Sequence, residues 1–196
     1  MRFTLRNARL IDAATDLARG AISINGPRIE AVESEDGQDA HHRVPQPDTI
    51  IDAQGMIILP GFIDVHTHGG GGYNLHTTRA DEIRDFARWV PTTGVTSFLI
   101  AVVGVPGSMP AQQLQTAVDA LEVCGEGAEP LGIHLEGPYI NVARRGAHPP
   151  AWLRLPNESE TETLLAISNG YLRLITIAPE LPGAPAMIRR LVDAGE

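Results

Sequence analysis

The chain has a single cysteine, Cys124, among 196 residues. One thiol excludes an intrachain disulfide and any multi-cysteine metal site, and it points weakly to a reducing compartment. Positive charge is scarce too. Fifteen Lys plus Arg face 24 Asp plus Glu, for a formal net charge of −9, and no basic cluster exceeds Arg144-Arg145. Neither nucleic acid nor an anionic membrane is therefore an expected partner. No segment reaches the ~18 apolar residues of a membrane span. At the N-terminus, Arg6 and Arg9 interrupt what would have to be a signal peptide's apolar region. A soluble, cytoplasmic protein is expected. Two nucleotide and hydrolase signatures are also missing: no G-x-G-x-x-G opens a helix after a first strand, and no G-x-S-x-G elbow occurs.

What is present suits a folded chain. Apolar residues make up 43% and charged residues 20%, enough to bury a sizeable core. Residues 1–59 read as short strands forming a small β module with no helix. Phe3 and Leu5 alternate with polar neighbours, as do Ile22 and Ile24, and Asn25-Gly26 supplies a tight turn before Ile29 and Val32. A polar stretch from Ser34 to Asp48, with His41 and His42, reads as an exposed loop. The apolar runs at Thr49–Ile51 and Met56–Leu59 are split by the turn signal Asp52-Ala53-Gln54-Gly55.

From residue 60 onward the period changes. Phe62 to His66 has the pattern of a short buried strand. Ile83, Phe86, Ala87 and Val90 then fall at helical spacing, with Thr78 as the expected N-cap and Pro91 as the stop. A strand over Val95–Ile100 follows, then a helix opened by Pro110 with Leu114, Ala117, Val118 and Leu121 on one face. A strand over Leu131–Leu135, a helix around Thr161–Ser168, a strand over Leu172–Ile177 and a helix over Ala186–Val192 complete the alternation. Four strand–helix pairs imply an α/β fold with a parallel sheet, either doubly wound or part of a (β/α)₈ barrel. Polar residues gather just after strand ends, where both designs place ligands. The missing dinucleotide fingerprint favours the barrel. Residues 61–196 supply 136 positions against ~250 for a whole barrel, so the first half of one is expected, ending inside a helix-to-strand connection.

His66-x-His68 closes the first barrel strand. On extended chain, side chains two residues apart point the same way, so two imidazoles can share one metal ion. Asp64 or nearby carbonyls are candidates to fix their tautomer. His134-Leu135-Glu136-Gly137-Pro138 brings a carboxylate to another strand end, and Arg145-Gly146-Ala147-His148-Pro149 adds a histidine in the loop that follows. Gly69 to Gly72 resembles the glycine-rich oxyanion loop of lipases, but without a nucleophile elbow it reads as backbone passing close to a metal or substrate. His76 reads as a solvated loop residue. Trp89 reads as packing, and so does Trp152, which is close enough to His148 to rim a pocket.

The string Leu59 to His68 resembles the first barrel strand of the amidohydrolase superfamily, whose members carry a small β-sandwich built partly from the N-terminus. His134 to Tyr139 and Arg145 to Pro149 resemble the N-acetylglucosamine-6-phosphate deacetylases, as do Gly94–Phe98 and Thr176–Glu180, in the same order. The resemblance implies an amidohydrolase barrel over residues 60–196 and part of a β-sandwich over 1–59. It implies Glu136 as the principal ligand of a divalent metal, zinc before iron, with the His66–His68 pair as further ligands favouring the fuller, two-metal form of the site over the one-metal form. It places His148 and the Ala147 backbone on the sugar, with Arg145 where the family has Lys. The substrate would be N-acetylglucosamine 6-phosphate, a phosphorylated amino sugar, hydrolysed to acetate and glucosamine 6-phosphate by a homodimer. No catalytic residue is assignable, because the family's proton-relay Asp and two further metal-binding His are expected downstream. Two alternatives stand beside this one: a dihydroorotase or D-amino-acid deacylase, whose metal-bridging lysine is not seen here, and an inactive fragment acting as an interaction surface.

Overall fold

The computed structural model describes residues 2–36, 49–123 and 125–195. His41, His42 and Cys124 lie outside the described residues. The chain divides into two compact units, Met1–Pro60 and Gly61–Glu196.

The first unit is built on hairpins. Strand β1 (Arg2–Ile11) pairs antiparallel with β2 (Asp16–Asn25), and β2 pairs with β3 (Arg28–Ser34) across the Asn25-Gly26 turn. Gly26 takes φ 56°, a left-handed conformation that favours glycine. Strands β4 (Thr49–Asp52) and β5 (Ile57–Ile58) run parallel to successive stretches of β1, giving one five-stranded sheet. Its core is small: Ala8, Leu10, Ile22 and Ala53, with Leu17, Ile24 and Ile58 packed around them. The described residues of this unit contain no helix and form a single sheet, not two stacked ones.

The second unit alternates strand and helix. Strands β6 (Phe62–Thr67), β9 (Val95–Val103), β10 (Glu129–Glu136) and β11 (Leu172–Thr176) form a parallel sheet in the order β11-β10-β9-β6. Between β6 and β9 a short hairpin of β7 (Gly69–Gly70) and β8 (Tyr73–Asn74) precedes α1 (Ala80–Trp89). Helices α2 (Ala111–Glu122), α3 (Glu158–Ser168) and α4 (Ala184–Asp193) follow β9, β10 and β11. Each strand is thus hydrogen-bonded to the next one in the chain, with no reversal of order. A doubly wound sheet must reverse at its switch point, whereas a barrel adds strands in one direction. The topology is that of consecutive barrel strands.

One face of this sheet carries the core. Phe98, Ile100 and Val102 of β9 and Ile133 and Leu135 of β10 are fully buried, together with Ile83 and Phe86 of α1, Leu114 and Ala117 of α2, Leu164 of α3 and Met187 of α4. The period of two then turns His134 and Glu136 to the opposite face. Core packing against the helices therefore fixes the direction in which the polar residues of β10 point.

Local chemistry differs from expectation in several places. Helix α1 begins at Ala80 with Arg79 as its N-cap and no side-chain cap, so Thr78 does not cap it. The neighbouring Thr77 hydroxyl accepts the Arg79 N–H at 3.2 Å and donates to Glu82 Oε2 at 2.7 Å, which ties the turn before the helix to its first turn. Pro91 lies inside a 3₁₀ turn, Val90–Thr93, that follows α1 directly. Packing constrains part of the glycine run. A Cβ on Gly71 (φ 62°) would stand 2.3 Å from Trp89, and one on Gly69 (φ 115°) 2.2 Å from the Tyr73 carbonyl oxygen. Gly71→Ala should destabilise the second unit by about 1–3 kcal/mol, the usual cost of overpacking, read as a lower urea midpoint with unchanged slope. An unaltered midpoint would mean that the indole simply moves aside.

Candidate metal centre

Three imidazoles converge on one carboxylate at the C-terminal rim of the parallel sheet. His66 Nε2 is 3.2 Å from Glu136 Oε2, and His68 Nε2 is 3.0 Å from the same oxygen. His148 Nε2 is 3.2 Å from the other oxygen, Oε1. Donor atoms of His66, His68 and Glu136 all lie within 4.8 Å of one another. Burial is graded across the group: side-chain exposure is 50% for His66, 18% for Glu136 and 9% for His148. The carboxylate is the recessed centre of the cluster and the His66–His68 pair is its open side.

Each ligand-type residue reaches this point for a local reason. Glu136 ends β10, after which Gly137 (φ 66°) turns the chain away. A β-bulge in β6 precedes the histidine pair: Asp64 registers with Phe98 and Thr67 with Ile100, so three steps along β6 span two along β9. Bulges of this kind re-aim side chains. Asp64 Oδ1 accepts the His66 backbone N–H at 3.1 Å, and no hydrogen bond from an imidazole to Asp64 is present among the described residues. The His148 loop is clamped by Arg145, which donates to the His148 carbonyl at 2.6 Å and accepts the His148 N–H on its own carbonyl at 3.1 Å. Ala147 is exposed between them. Tyr139, fully buried, donates to Glu160, and Arg154 also donates to Glu160 and to the Val105 and Ser108 carbonyls, which fastens the loops after β9 and β10 to α3. Burial and the Glu160 charge push the Tyr139 phenol well above its ordinary range.

The electrostatics favour an ionised carboxylate. Burial works against the Glu136 charge, but the His66 hydrogen bond and the charges of His68, His66 and His148 outweigh it, and the net direction is downward. His134, behind the cluster, is shifted down chiefly by burial and then by His66. His76 is not a solvated loop residue. It is half-buried, its Nδ1 accepts the Val103 N–H at 3.2 Å, and burial followed by the charge of His68 lowers its pKa. The bond from Val103 leaves the proton of neutral His76 on Nε2.

The donor set fits a divalent ion. Two ligands each ~2.1 Å from one metal at the tetrahedral angle stand roughly 3.4 Å apart, close to the 3.0 and 3.2 Å separations between Glu136 Oε2 and the two imidazoles. Neutral imidazole and carboxylate suit several first-row metals alike.

The amidohydrolase family profile matches residues 57–194, most of the chain. The chain belongs to the amidohydrolase family. Among its relatives, the N-acetylgalactosamine-6-phosphate deacetylase of Escherichia coli O157:H7 is 34% identical over 147 residues, covering 75% of this chain and 39% of the relative. The N-acetylglucosamine-6-phosphate deacetylase of Bacillus subtilis is 30% identical over 180 residues, covering 90% of this chain and 44% of the relative. A crystal structure of N-acetyl-D-glucosamine-6-phosphate deacetylase from Mycobacterium smegmatis superposes with a TM-score of 0.82 at 30% identity, over 100% of this chain and 48% of that one. This amidohydrolase chain therefore spans about two fifths of the length of those two curated relatives and about half of the solved structure.

His66, His68, Glu136 and His148 stand together at the sheet's rim. No site role was expected from the sequence for three neighbours: His134, His76 and Thr176. For His134 a signal existed, since it stands two residues before Glu136 and so shares its face. His76 and Thr176 are identified only by partners 27 and 42 residues away.

Proposed function

We propose that this chain carries the metal-holding part of an enzyme that hydrolyses the acetamide of N-acetylglucosamine 6-phosphate to acetate and glucosamine 6-phosphate. The observation that carries the proposal is the convergence of His66, His68 and His148 on Glu136 at the C-terminal rim of barrel-type strands, where such sheets house their active sites. His66, His68 and Glu136 would hold the ion, zinc before iron. A divalent metal held there supplies Lewis acidity and a water whose pKa is drawn toward neutrality. Glu136 contributes the negative charge that offsets the ion. His148, least exposed of the three imidazoles, is proposed to face the sugar together with the Ala147 backbone. No described residue is assigned the proton relay. In this reading residues 1–59 form part of a small β-sandwich, and the protein works in the cytoplasm as a homodimer. A metal-bridging lysine, which the dihydroorotase and D-amino-acid deacylase alternatives need, is not among this chain's fifteen basic residues, all of them arginine.

Acetate release by the intact protein, with and without added zinc, tests the proposal. Metal-dependent release from N-acetylglucosamine 6-phosphate, lost in Glu136→Gln, is the expected result. Faster turnover of the galactosamine epimer would overturn the substrate assignment, and no release from either would overturn the reaction.

His148→Asn separates sugar contact from metal binding. Losing one polar contact costs about 1–3 kcal/mol, so KM should rise roughly 5- to 150-fold while metal content stays unchanged by elemental analysis. Loss of the metal in that variant would make His148 a ligand.

A further inference from the structure

The His66 imidazole is tied at Nε2 to Glu136, and β6 itself adds little to its placement. The bulge between Asp64 and Thr67 takes His66 out of the regular ladder with β9, and its side chain is half exposed. The ring is flanked edge-to-face by two others, His68 with a centroid separation of 5.2 Å and His134 at 4.8 Å. His68 is as exposed as His66 and lends little rigidity. His134 is different. Only 1% of it is exposed, and its Nε2 is hydrogen-bonded to Thr176 Oγ1 at 2.8 Å, on the neighbouring strand β11. Its Nδ1 is buried without a hydrogen-bond partner among the described residues, while the Val65 carbonyl, adjacent to His66 in β6, is within interaction range of the ring.

The intervening strand leaves room for this contact. His134 registers with Ala101 of β9, so the side chain between β10 and β6 at that level is a methyl group, itself fully buried. A larger residue there would separate the two rings. A buried polar ring is a poor choice for packing alone, and an apolar side chain would fill the same space at lower cost.

We infer that His134, anchored by Thr176, is a positioning residue that sets the plane of His66 toward the ion. The inference rests on the proposed metal site and adds to it a line from β11 through β10 to β6, distinct from the ligands themselves. Metal-ligating histidines generally depend on such outer partners, whose removal typically costs 10- to 100-fold in metal affinity.

The test is Co²⁺ binding to the intact protein, read by chelator competition and by the visible d–d spectrum, in wild type, Glu136→Gln, His134→Ala, Thr176→Val and Thr176→Ser. Wild type should bind one Co²⁺ and Glu136→Gln should not. His134→Ala should bind about 10- to 100-fold more weakly, with a changed spectrum at saturation and an unchanged far-UV circular dichroism. Thr176→Val should weaken binding about 2- to 10-fold, the worth of one hydrogen bond, and Thr176→Ser, which keeps the hydroxyl, should restore it. If His134→Ala does not fold, the Val and Ser pair at position 176 decides the matter. Wild-type affinity and spectrum in both His134→Ala and Thr176→Val, with Glu136→Gln still deficient, would overturn the inference and leave the metal site standing. Equal binding by wild type and Glu136→Gln would overturn both.

Discussion

Replacing Glu136 with Gln should reduce metal affinity by two orders of magnitude or more, the largest functional effect expected of any single change in the chain. Its two oxygens face three imidazole nitrogens at 3.0 to 3.2 Å, so the variant loses the one anionic donor of the cluster. An amide also keeps only one acceptor oxygen, leaving His148 or the His66–His68 pair without its partner. Removing one member of a buried charged pair typically costs about 3–5 kcal/mol; with His66 and His68 half exposed the lower end applies, roughly 150-fold. Isothermal titration of zinc into wild type and variant measures it. A loss smaller than tenfold would show that the carboxylate is not a ligand but only orients the imidazoles.

The largest expected effect on stability is that of Phe98→Ala. Phe98 is completely buried at the centre of the face between β9 and the helices, with its ring edge-to-face on Phe86 at 5.0 Å. Removing a buried phenylalanine ring costs about 3–5 kcal/mol through lost transfer energy and a residual cavity. That is a large part of the ~5–15 kcal/mol by which a typical domain is stable. Phe98 also registers with Asp64 immediately before the bulge in β6, so metal affinity should fall along with stability. Urea unfolding followed by tryptophan fluorescence is the measurement, and a loss below ~1.5 kcal/mol would mean that the core refills the space.

Apolar periodicity was the most legible feature. Ile83, Phe86, Ala87 and Val90 share one helical face in the sequence, and all four are buried in the fold. Leu114, Ala117 and Val118 behave the same way. Such patterns are local, and burial of one face is what creates them. The strand–helix alternation was equally plain, but the two parallel designs differ only in the order of strands across the sheet. That order is a set of long-range pairings, and the sequence carries it only indirectly, through the absence of a nucleotide fingerprint.

The less legible features depend on distant partners. Gly70 and Gly71, after His68, are packed under the Trp89 indole, about 18 residues further on, and Gly69 against the Tyr73 carbonyl. Thr78 has the right residue type for a cap, yet one position of slippage hands the hydrogen bonds to Thr77. His76 has no local pattern that distinguishes it from a solvated histidine, and the amide that fixes its tautomer belongs to Val103. The bulge in β6 is likewise invisible without its partner strand. Of the site itself, the two strand-end motifs were readable because ligand chemistry restricts residue type and spacing together. Their mutual distance was not, since 70 residues separate His66 from Glu136.

The most direct test of the account is anomalous diffraction from crystals of the intact protein grown with zinc, recorded on either side of the zinc edge. The account predicts one strong difference peak about 2.0–2.2 Å from His66 Nε2, His68 Nε2 and a Glu136 carboxylate oxygen, with the His134 ring still seated between Thr176 and His66. No peak at that point while the three side chains remain ordered, or a peak held by other residues, would contradict it.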